Sequence, residues 1–354
     1  IDNINSYYDV DLKKNRIKLL IKHKNFTFKK IDIVDKKKVS KFIKENSIKI
    51  IIHLAAQAGV RYSITNPQSY IDSNILGFFN ILEASRENKI KHLIFASTSS
   101  VYGYSDKFPL KENDNTDKPV SFYAATKKSN EVMAYSYSSL YKLPCTGLRF
   151  FTVYGPYGRP DMALFKFTKS IVKNKIIELF NYGNHIRDFT YVDDVSYSIL
   201  KLITKTPKSN VPYKIFNIGN SKPQKLKYFL KEIEKNLGKK SKIISKKLQK
   251  GDVYKTHANI DKLVEKIDFG KEFSVVSMMD VLEHIPYPKD VLRSLHSNME
   301  LDGCLLISMP NTENMVWKVM CDQNVNPYLG EIEHYHNFSR TRLFSLLNDC
   351  GFEA

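Results

Sequence analysis

Glycine, proline, cysteine and tryptophan are all sparse in this chain, at 14, 13, 4 and 1 of 354 residues. That scarcity excludes collagen-like, low-complexity and disulfide-framework classes. No apolar run approaches the roughly 18 residues that cross a bilayer, so no membrane partner is expected. The cysteines, Cys145, Cys304, Cys321 and Cys350, lack the short paired spacing of zinc sites or redox dithiols, and reduced thiols in a cytoplasmic protein are the expectation. Arginine is scarce too, at 9 of 55 basic residues. The net charge of +18 would raise nucleic acid as a partner, but the lysines are spread over many segments instead of one basic face, which argues against it. The chain opens at Ile1, without a basic, apolar and small-residue leader pattern.

What is present is a globular composition, 42% hydrophobic and 26% charged, with a length that predicts about two domains at roughly 150 residues each. The charge balance breaks near Gly270: residues 1–269 carry +24, residues 270–354 carry −6, and 6 of the 8 methionines lie after the break. The pattern predicts domains over 1–269 and 270–354. Short β-branched runs alternate with amphipathic ones, which reads as strands over 26–31, 49–54, 91–97 and 145–150 and helices near 35–45, 68–88 and 122–142. Such alternation builds a doubly wound parallel sheet. Helices near 162–174, 193–204 and 224–237 suggest a smaller lobe over the sheet edge. After 270 come strands at 273–278 and 303–309 and helices at 288–299 and 340–350, too few elements to close a sheet alone, hence a partial α/β unit.

Tyr123 and Lys127, four apart near the start of a predicted helix, share one face. A lysine charge beside a phenol favours phenolate and a general base. In a chain with 21 tyrosines this spacing also arises on an ordinary solvated helix face. The second signal is the hydroxyl cluster Thr98-Ser99-Ser100 after the 91–97 run, at the carboxyl end of a parallel strand, where open α/β sheets bind ligands.

Together with IDNINSYYD (1–9), HLAAQAGVRYS (53–63), LRFFTVYGPYGRPDMALFKF (148–167), RDFTYVDD (187–194) and QKGDV (249–253), these segments resemble the extended short-chain dehydrogenase/reductases that act on nucleotide sugars. Within them the UDP-glucuronate 4-epimerases are most similar. The resemblance covers 1–269 and implies a Rossmann-like fold with NAD as cofactor and a UDP-sugar as substrate. It also implies a homodimer built through the helices at 68–88 and 122–142, and supply of capsule or lipopolysaccharide precursors.

The resemblance also implies roles. Asp2 and Asn3 would meet the adenosine ribose, Asp32 and Ile33 would flank the adenine, and Leu54, Ala55 and Ala56 would line the cofactor above Asn74. Lys127 would hold the nicotinamide ribose, Tyr123 would act as the base and Thr98 would orient the sugar hydroxyl. Ser99, Ser100, Thr152 and Arg159 would surround a C5 carboxylate. Arg187 would bind the diphosphate, with an ion pair to Asp188 or Asp193 as its ordinary alternative, and Asp252 would lie on the uridine side. His53 and His185 read as packing or loop residues.

Two departures from the family pattern stand out. The resemblance starts just after the family's first strand and Gly-rich pyrophosphate turn, so a core without them is the expectation, and residues 273–311 resemble the second half of a class I S-adenosylmethionine-dependent methyltransferase. Asp280, Glu283 and His284 share that second resemblance without a site to join. Glu331, Glu333, His334 and His336 read as surface, and no metal is expected. The expected activity is UDP-glucuronate 4-epimerisation through a 4-keto sugar. Alternatives are a UDP-galactose or UDP-N-acetylhexosamine 4-epimerase, a uronate decarboxylase, or an inactive chimeric fragment. Ser99-Ser100 stand where a 4,6-dehydratase would need an Asp-Glu pair.

Overall fold

The computed structural model describes residues 1–249, 251–267, 273–279, 281–282, 285, 287–308 and 338–353. They fall into two compact units, Ile1–Ile267 and Asp268–Ala354. In the first, β1 (Ile50–His53), β2 (His92–Thr98), β3 (Cys145–Phe150) and β4 (Tyr213–Ile218) form one parallel sheet in that order. Every residue of β2 is buried. Since successive side chains point to opposite faces, Leu93 and Phe95 enter one core and Ile94 the other. The first core is closed by α1 (Lys36–Glu45), α2 (Gly77–Glu87) and α3 (Phe122–Tyr141), and the second by α4 (Val192–Ile203) and α5 (Asp261–Lys266).

Local chemistry sets these elements. Asp35 caps α1 by accepting from the Lys38 amide, and Val39 and Ile43, four apart, are its buried residues. Ser121 caps α3, whose buried positions 124, 126, 127, 130, 131, 134 and 138 line one face of the helix. Two of those positions are Lys127 and Glu131, so the helix turns charge inward. The predicted 68–88 helix is one continuous run, Gln68–Tyr70 into a π turn at Ile71–Leu76 and then α2. Gly77 opens α2 because the Ile33 side chain lies 2.6 Å from where a Cβ would stand.

The expected strand at 26–31 is a single parallel bridge, Asp2 to Lys30, and one bridge is too short to register as a strand. A helix not expected from sequence, Val10–Ile21, forms with no buried residue and Asp9 as its cap. The smaller lobe gathers Phe167, Ile171, Leu179, Phe189 and Leu226 around short strands, with Ile176–Phe180 pairing in parallel with Lys242–Lys246. In the second unit β5 (Phe273–Met279) pairs in parallel with β6 (Met299–Ser308), and helices Pro288–Asn298 and Arg340–Asp349 pack Leu292, Leu346 and Leu347 into a core of their own. Asp280, Glu283, His284, Cys321, Glu331, Glu333, His334 and His336 lie outside the described residues. Among the described residues no three His, Cys, Asp or Glu side chains gather as a metal site, and no helix is long and apolar enough to cross a membrane.

Candidate active site

Thr98 ends β2 and caps the one-turn helix Ser99–Tyr102, accepting from the Ser100 amide at 3.2 Å and lying 3.2 Å from the Ser100 hydroxyl. Tyr123, in the first turn of α3, places its phenol near Thr98. Burial pushes the phenol above its ordinary value, and the Thr98 contact and the Arg159 charge pull it back in part. Lys127, one turn further along α3, points its ammonium at β2. It is 2% exposed, and its Nζ donates to the Ala96 carbonyl at 2.8 Å. Burial with no paired carboxylate takes its pKa down to about 8.

Two of the three Lys127 N–H donors have no partner among the described residues. A buried ammonium with spare donors at the carboxyl end of β2 fits a polyhydroxy group such as a ribose. Asp2, Asn3 and Asp32 form a second polar group: Asn3 donates to Asp32 at 2.9 Å, while Asp2 accepts from the Ile4 amide and Asp32 from the Val34 amide. Ile33 is buried in the core against Gly77, so its side chain packs the helix. Leu54 is exposed, and Ala55 and Ala56 are partly buried. Asn74 sits in the π turn, fully engaged: it accepts from the Gln57 amide at 2.8 Å and donates to the Gln57 carbonyl and the Thr126 hydroxyl, each at 3.0 Å. Its amide therefore fixes the backbone just after Leu54-Ala55-Ala56.

Arg159 forms a two-point pair with Asp161, and Thr152 lies on a short strand whose amide donates to the Asp188 carbonyl. Arg187 bonds neither Asp188 nor Asp193. It donates to Asp252 at 2.8 Å and to the Ile186, Val253 and Tyr254 carbonyls, while Asp188 is buried accepting the Asn220, Ser221 and Ala258 amides. Burial lowers the Arg187 pKa. On Asp252 the opposing pull of His185, 3.3 Å away, and of Arg187 outweighs burial and holds the carboxyl below its usual range. His53 is buried against Phe78, its ring driven to a pKa of about 3 by burial and the Lys127 charge.

Sequence reasoning passed over the groups that brace these residues. Glu131, one turn beyond Lys127, accepts from Ser97 at 2.6 Å and from Arg149 at 2.9 and 2.8 Å. Arg149 also donates to the Tyr102 hydroxyl and the Glu112 carbonyl. The four-residue step from Lys127 to Glu131 was the available signal. Asp161 and Tyr7, joined at 3.1 Å, brace Arg159. The only local sign of them was the short spacing in Arg159-Pro160-Asp161.

The chain is similar to known proteins over most of its length. Residues 5–219 match the NAD dependent epimerase/dehydratase family, and residues 198–354 match a methyltransferase domain. The chain is 51% identical to Protein CapI of Staphylococcus aureus, across 78% of this chain and 86% of that one. It is 41% identical to a probable UDP-glucuronate 4-epimerase of Rhizobium meliloti, across 77% and 85%. Among solved structures it superposes with a TM-score of 0.71 on UDP-glucuronic acid 4-epimerase from Bacillus cereus in complex with UDP-glucuronic acid and NAD, at 31% identity over 76% of this chain and 84% of that one.

Proposed function

The chain belongs to the NAD-dependent epimerase/dehydratase family, with a methyltransferase-like region at its carboxyl end, and from that footing we propose that it interconverts UDP-glucuronate and UDP-galacturonate at C4. It is an isomerase-type enzyme, and its cofactor is NAD. The observation that carries the substrate reading is the pairing of a phenol with a cation: Tyr123, its ring 6.0 Å from that of Tyr70, lies in the field of Arg159 and near Thr98, which suits a sugar bearing both a C4 hydroxyl and a carboxylate.

Asp2, Asn3 and Asp32 would hold the adenosine end of NAD, the 54–56 backbone its middle and Lys127 the nicotinamide ribose. When bound, NAD supplies a hydride acceptor that later returns the hydride. Thr98 orients the C4 hydroxyl and Tyr123 takes its proton, so the phenol must lose its own proton first. The nearby Thr98 hydroxyl and the Arg159 charge favour that loss against burial. The sugar turns over as the 4-keto form, and Tyr123 returns the proton when the opposite epimer forms. A 4-keto uronate is a β-keto acid prone to lose carbon dioxide. Ser99, Ser100, Thr152 and Arg159 around the carboxylate oppose the orbital alignment for that loss. Arg187 and Asp252 are read as the diphosphate and uridine contacts.

The homodimer reading uses the 68–88 and 122–142 helices, which expose Leu76, Phe79, Val132 and Tyr135. Sedimentation as a monomer at micromolar concentration would remove it. The boundary between epimerase core and methyltransferase-like region is placed at 269/270. Product analysis by NMR after incubation with UDP-glucuronate and NAD tests the activity itself. UDP-galacturonate is expected, and formation of UDP-xylose alone, or turnover of UDP-glucose without the uronate, overturns the assignment.

A further inference from the structure

We propose that Asp161 is a positioning residue for sugar-acid selectivity: it grips two N–H donors of Arg159, Tyr7 fixes it from the other side, and the guanidinium edge left over is presented to an acidic group on the sugar. The proposal rests on the uronate reading above. Arg159 Nε donates to Asp161 Oδ1 at 3.0 Å, and Nη2 meets Oδ2, a fork geometry with both atoms engaged. Tyr7 donates its hydroxyl to the same Oδ2 at 3.1 Å. The Tyr7 ring lies 4.8 Å from Tyr62, and through Tyr70 the cluster reaches Tyr123, whose ring is 6.0 Å from that of Tyr70.

Gly59 forms the floor. Its φ of +110° suits glycine, and a Cβ there would stand 3.0 Å from the Tyr7 hydroxyl and 3.7 Å from Asp161 Oδ2. The Nη1 donors of Arg159 have no partner among the described residues. A guanidinium held at Nε and Nη2 has lost its rotamer freedom before substrate arrives, and what remains is a directed donor pair. Burial works to raise the Asp161 carboxyl, but the Arg159 hydrogen bond and charge outweigh it, so the pair stays ionised.

Calorimetric titration of the NAD-loaded protein with UDP-glucuronate and with UDP-glucose gives a selectivity ratio. In Asp161→Asn that ratio is expected to fall about tenfold, the size of one directed charged contact. Tyr7→Phe should lower it severalfold, and Asp161→Asn should leave it unchanged when added to Arg159→Ala. An unchanged or increased ratio in Asp161→Asn, or an equal fall in the Arg159→Ala background, overturns the assignment. If Asp161→Asn does not fold, Tyr7→Phe decides, with an unchanged ratio counting against the proposal. Wild-type turnover is read separately: no turnover of UDP-glucuronate, with the ratios behaving as stated, removes the proposed activity and keeps the role of Asp161.

Discussion

Arg149→Met should be among the most damaging single changes in the first unit. Arg149 and Glu131 are each 4% exposed, and four hydrogen bonds leave the guanidinium, two of them to Glu131. Removing the arginine strands a buried carboxylate with the Ser97 hydroxyl as its one remaining side-chain donor among the described residues. Breaking such a pair from one side costs about 3–5 kcal/mol, against a whole-domain stability of about 5–15. Arg149→Met with Glu131→Leu removes both charges and should be less destabilised than the single variant. Urea unfolding supplies the total, and hydrogen exchange at the β2 and β3 amides isolates this sheet from the second unit. A loss below about 1 kcal/mol, or a double variant no better than the single, would refute the reasoning. Ser97 precedes Thr98, so the same variant should also slow turnover.

Tyr123→Phe should abolish turnover while NAD affinity changes little, since only the phenol is removed; retained activity would show that the base lies elsewhere. Lys127 is held at about pH 8 against an ordinary 10.5, so the unfolded chain binds the extra proton between those values. Without NAD, wild type should thus gain on Lys127→Met by up to about 3 kcal/mol as pH rises from 8 to 10.5, measured by urea melts. His53, held at about 3 against 6.5, works at the acid end: wild type should lose up to about 4–5 kcal/mol between pH 6.5 and 3, a loss that His53→Leu abolishes. An identical acid limb in both proteins would contradict the neutral, buried ring.

Much of the sheet could be read from residue order alone. KHLIFAS is an unbroken apolar run because β2 lies between two parallel neighbours with every residue buried, and strand-end placement followed for Thr98; KIIIHL was read as a strand by its β-branched run, although β1 ends the described sheet with Ile50 and Ile52 exposed. The Val10–Ile21 helix was not legible because it buries no side chain, so its sequence carries no stripe. Lys242–Lys246 pairs beside Ile176 with every residue exposed, again without a pattern to read. Residue types in the site were legible, but partners distant along the chain were not. Sequence offered Arg187 its neighbours Asp188 and Asp193, whereas its carboxylate comes from Asp252, 65 residues away. Tyr7 meets Asp161 across 154 residues. For Lys127, spacing offered Tyr123, and the fold gave it a β2 carbonyl.

The π turn at Ile71–Leu76 has a consequence for how this chain can vary in length. Asn74 within it ties the Gln57 backbone to Thr126, and its carbonyl accepts from Asn130 at 2.6 Å, while Phe78, Ile81 and Leu82 just downstream fill the core. A wide turn of this kind sets the phase between the helix before it and the helix after it. Deleting one residue there turns everything beyond by about 100°. Either the three core side chains swing out of register or the amide leaves its two strands of chain. Insertions and deletions that surface loops absorb freely are barred at this helix, which works as a fixed phase lock between the strand-end loop at 54–57 and the helix that bears Tyr123.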